Sequence, residues 1–112
     1  MPDFDAIFKD IQTQVVTLAE TTVSKYKDEA IADGKKLLAQ MKDDLLRWID
    51  LLAEKKLKTG EFEWLVNSDK EIVKMAALEK AGLAEIRVQQ FSMSVLNVIA
   101  DVALKSVETK VI

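Results

Sequence analysis

Carboxylates come in close pairs along this chain, at Asp28/Glu29, Asp43/Asp44, Glu61/Glu63 and Asp69/Glu71. Several such groups on inward helix faces can hold Mg²⁺ or Mn²⁺ by oxygen ligands alone, as in divalent-metal-dependent helical enzymes. The spacing argues against that chemistry here. Adjacent helical residues point about 100° apart, so Asp43 and Asp44 do not converge. Asp43, Asp50 and Glu54 project away from the apolar line Leu45/Trp48/Leu52, and Asp44, beside that line, is the nearest to an inward carboxylate. Charged groups are seldom buried unpaired, so these pairs read as a solvated face. A metal-dependent enzyme is a distant third reading, and no catalytic, cofactor-binding or metal-binding residue is assigned.

Three further groups of residues could act by recognition. Lys55, Lys56 and Lys58 could meet phosphate or an anionic surface, but Glu54, Glu61 and Glu63 offset them. Phe62 and Trp64 are candidates for partner contact, because aromatic side chains are enriched at binding hot spots. Trp48 shares the line of Leu45 and Leu52 and reads as core. Asn97 and Asp101 lie in a very apolar stretch, and the four-residue spacing of Asp101 to Lys105 places them on its exposed edge.

Composition narrows the classes further. The chain has 112 residues with no cysteine and no histidine, which removes thiolate chemistry, histidine-based triads and the common zinc sites. A formal charge of −3 disfavours a nucleic-acid partner held by a basic surface. The acidic start Met1-Pro2-Asp3-Phe4-Asp5 lacks the basic-then-apolar order of a signal peptide, and a cytoplasmic location is expected.

With one Pro and three Gly, the chain offers few turns, which favours long helices. Asp3 or Asp5 can cap the first of them. Apolar residues recur at 3–4 spacing through Phe4, Ile7, Phe8, Ile11, Val15 and Leu18. The stripe thins after Thr21, continues through Thr22, Tyr26 and Ala30, and returns at Leu37, Leu38, Met41, Leu45, Trp48, Ile49 and Leu52. Phe4, Val15, Tyr26, Leu37 and Trp48 stand eleven apart, the repeat of a straight or slightly right-handed helix path. This predicts one helical segment over 3–57, interrupted only by a tolerated Gly34 on the apolar line, where a partner helix can come close. At about 1.5 Å per residue it would approach 80 Å.

An elbow is expected over 57–68, plugged by Phe62, Trp64 and Leu65, and a second helical segment over 69–110. Ser68 and Glu71 have the spacing of a capping box at its start. Gly82 would meet Gly34 across an antiparallel hairpin. From Phe91 to Val107 more than half of the helix surface is apolar, which two helices alone cannot cover. The prediction is therefore an all-α, long antiparallel helical hairpin that pairs with a second copy through Phe91, Val95, Leu96, Val98, Ile99 and Val102. The product would be a homodimeric four-helix bundle with coiled-coil-like contacts. The alternative is a monomeric up-and-down bundle with true turns at Gly34 and Gly82. The function expected is a non-enzymatic structural or adaptor role through protein–protein contacts. The second reading is reversible binding to a membrane surface by Phe4–Leu18 and Phe91–Val107; it is less favoured, because their polar faces are not rich in Lys and Arg.

Overall fold

In the computed structural model, residues 3–68 and 75–111 are described, with side chains to Val107. All described elements are helical: α1 (Phe4–Thr22), α2 (Lys27–Ala53), α3 (Thr59–Ser68), α4 (Ala76–Lys80) and α5 (Glu85–Val111). None of these is long and apolar enough to cross a membrane.

Asp3 caps α1 as expected, its carboxylate accepting the Ala6 N–H at 3.2 Å. The expected unbroken segment over 3–57 does not form. α1 stops at Thr22, and a single 3-10 turn over Ser24–Tyr26 leads into α2. The local cause is the run Thr21-Thr22-Val23. β-Branched side chains lower helix propensity, and threonine hydroxyls compete for helix carbonyls. Thr21 and Thr22 donate to the carbonyls of Thr17 and Leu18 at 3.0 and 2.6 Å. So short a connection turns α2 back along α1. Phe8 of α1 then lies beneath Lys42 of α2, its ring centroid 5.6 Å from Nζ.

Gly34 is neither a turn nor a kink but an interior residue of α2. A Cβ there would stand 2.6 Å from Cγ1 of the buried Val15, so its missing side chain lets α1 approach. The expected role of close contact holds, but the contact is with α1 and not with Gly82. Gly82 has φ +92 and nothing within 4 Å of its absent Cβ. It is a true turn, and it breaks the expected second segment after α4.

α5 begins beside the α1–α2 turn, where Arg87 donates to the Thr22 carbonyl at 2.9 Å. Its later residues Val98, Asp101 and Val102 share a groove with Asp10 and Gln14, so α5 runs antiparallel to α1. α5 packs on α1, α2 and α3. The described residues span 44 × 23 × 18 Å, roughly half the predicted hairpin length.

Helix ends explain the remaining bends. α2 closes on Lys55, whose φ of 62 is left-handed. The Lys55 and Lys56 N–H groups donate to the carbonyls of Leu52 and Leu51 at 3.1 and 2.9 Å, the paired bonds of a Schellman stop. The same pattern ends α4, where Gly82 and Leu83 donate to the carbonyls of Glu79 and Leu78. Glu71 of the expected capping box lies outside the described residues. Ser68 is the last residue of α3, its hydroxyl donating to the Leu65 carbonyl at 2.8 Å.

Two substitutions test these assignments by chemical denaturation. Lys55→Gly removes the left-handed penalty, about 1–2 kcal/mol, and raises the unfolding midpoint. Gly34→Ala drives a methyl into Val15 and lowers stability by about 1–2 kcal/mol, despite the helix propensity it adds.

Candidate recognition groove

α3 starts one residue after Lys58. The Glu61 carboxylate reaches back to accept the Lys58 N–H at 3.0 Å, the reciprocal half of a capping box. Phe62 and Val66, one turn apart, face inward and are fully buried. Residues two apart on a helix lie about 200° apart around its axis, so Trp64 is carried to the outside. It is 69% exposed.

Trp64, Leu57, Gly60, Glu61 and Leu65 line a shallow, mainly apolar groove of about 360 Å³. Gly60 is part of its lining, and a Cβ added there meets nothing within 4 Å. The volume is near the lower end for a ligand pocket. The nearby charges are already partly engaged. Lys56 pairs with Glu54 at 3.2 Å, and Glu61 holds the start of α3. Between residues 54 and 64 three lysines stand against three glutamates, so no net charge gathers around the groove. Contact through it would rest on apolar surface and the Trp64 indole.

Of the two residues expected to touch a partner, only Trp64 is accessible. Phe62 is part of the core, because the inward stripe of α3 runs through 62 and 66. The six residues expected to self-associate are also covered by the chain itself: Phe91, Val95, Leu96, Ile99 and Val102 are buried and Val98 is half-buried. The chain turns back more often than predicted, so α1, α2 and α3 supply the cover that had called for a second copy. The stripe of Phe4–Leu18 likewise faces the interior, with Ile7, Ile11 and Val15 buried. Asn97 and Asp101 are exposed, and Trp48 is buried.

Asp44 turns outward and meets Arg47, three residues on, at 2.9 Å. Glu54 pairs with Lys56. The Asp69/Glu71 pair is outside the described residues. Among the described residues, no three potential metal ligands gather.

One functional group escaped the sequence reading. Asp33 of α2 is only 5% exposed. Its Oδ1 accepts the Ala77 N–H at 3.0 Å, and its Oδ2 accepts the Leu78 N–H at 2.8 Å. A carboxylate in line with Ala30 and Leu37, one turn to either side, was the available signal. It caps α4 from another helix, since the cap residue Met75 makes no side-chain bond of its own.

Comparison with known protein families, curated proteins and solved structures finds no match.

The different placing of the two α3 aromatics has a direct measure. Phe62→Ala lowers unfolding stability by about 3–5 kcal/mol, the cost of an emptied aromatic site in a core. Trp64→Ala changes it by less than about 0.5 kcal/mol, as for an exposed residue.

Proposed function

We propose that this protein is a non-enzymatic adaptor that binds a protein partner through the groove that Leu57 of the α2–α3 connection forms with α3. The carrying observation is the exposed Trp64, which shares the lining of the groove with Leu57, Gly60 and Leu65. Large amphipathic rings of this kind supply much contact area at small entropic cost and dominate many interfaces. The balanced charge around the groove favours an apolar side chain of the partner as the anchor. A second copy of the chain is one such partner, now docking at Trp64 and not along the buried face of α5. The paired carboxylates serve solubility and local structure in this reading.

Gly60→Leu fills the groove where there is room for it, and Trp64→Ala removes its wall. The wild-type chain and both variants, immobilised and matched by circular dichroism, are compared by affinity capture with mass spectrometry. Sedimentation equilibrium at micromolar concentration reports self-association. The expected result is a partner, or a dimer, that is kept by the wild type and lost by both variants. Equal retention and equal mass for all three proteins overturn the proposal.

A further inference from the structure

Five residues make up α4, well under the roughly 12–15 at which an isolated helix becomes even marginally stable in water. Its support comes from outside the segment. The first turn of any α-helix has N–H groups without helical acceptors, and in α4 those of Ala77 and Leu78 are taken by Asp33. Each Asp33 oxygen takes one of them. At the other end, the left-handed Gly82 folds Leu83 back onto Leu78 through the Schellman bonds. Met75, Leu78 and Leu83 are buried, so the segment has its own small set of apolar anchors. It is closed at both ends, and among the described residues the side chain that fastens its first turn is that of Asp33.

We propose that Met75–Leu83 is a latch that undocks from the bundle as a unit while α1, α2 and α5 stay folded. The Asp33 carboxylate governs the docked fraction. Undocking bares that carboxylate together with the apolar surface against which Met75, Leu78 and Leu83 rest. A contact internal to the chain thereby becomes an accessible one. Elements with few residues and few anchors are those that open below the global unfolding free energy.

The test is native-state amide hydrogen exchange on the full chain, followed by NMR across sub-denaturing denaturant concentrations. The informative amides are Ala81, Gly82 and Leu83, which donate to carbonyls within the segment and not to Asp33. Loss of a cap alone would not free them. In the wild type they are expected to exchange through one shared opening, at least tenfold more often than Ile11, Leu45 and Ile99. Asp33→Asn should accelerate them a further tenfold or more, with less than threefold change at the three core amides. Wild-type exchange of Ala81–Leu83 at the core rate overturns the proposal, as does a folded Asp33→Asn that leaves them unchanged. Should the variant not fold, the wild-type series decides alone.

Discussion

The carboxylate of Asp33 joins parts of the chain that lie 44 and 45 residues apart, and it does so with both oxygens. A buried carboxylate without partners would carry a large desolvation cost, and four orphan N–H groups at a helix start are a liability of their own. Brought together, each offsets the other, and the charge also faces the positive end of the α4 dipole. Hydrogen bonds to a charged group are worth more than neutral ones, about 1.5–3 kcal/mol each. The next residue, Gly34, is just as specific about its neighbour, since Val15 occupies the space a side chain would need. One dipeptide of α2 thus locates α1 by the absence of a side chain and α4 by the presence of one.

Much of the architecture was legible in the 3–4 spacing of apolar residues, because burial follows helix faces directly. Ile7, Ile11, Val15, Leu37, Leu38, Met41, Leu45 and Ile49 are all buried on the faces the spacing selects. The reversal at Val23–Tyr26 was hidden by that same regularity. A connection of a few residues keeps the spacing nearly in phase, so Val15, Tyr26 and Leu37 read as one stripe although Val15 and Leu37 stand on opposed helices. The physical sign lay elsewhere, in three β-branched residues followed by serine. Once the reversal is missed, the apolar excess of Phe91–Val107 has no cover within the chain, and a second copy becomes the apparent solution. The error was one of topology and not of burial. For the groove, the outward direction of Trp64 followed from its offset to Phe62, but the opening between Leu57 and Leu65 depends on the angle at which the elbow leaves α2. No local pattern carries that angle.

The α2–α3 connection keeps a non-glycine residue where glycine is the usual choice. Lys55 sits in the left-handed region at a cost of about 1–2 kcal/mol, held by the two bonds that end α2. Backbone strain of this kind persists where the surrounding structure over-determines it, and it is concentrated at sites of function. Lys55 lies two residues before Leu57, the first residue of the groove. The strained stop and the exposed indole therefore belong to one end of one connection, whose path decides whether the groove is open.

The contact between Arg87 and the Thr22 carbonyl spans 65 positions of sequence. In kinetic terms it divides assembly into unequal parts. α1 and α2 are neighbours in sequence, so their pairing closes a small loop at little entropic cost. α5 finds its place only after a far longer stretch of chain has been brought round, and contacts of high sequence separation slow folding. Burial of Phe91, Val95, Leu96, Ile99 and Val102 against the other helices is thereby the gain that offsets the loop entropy of so distant a pairing.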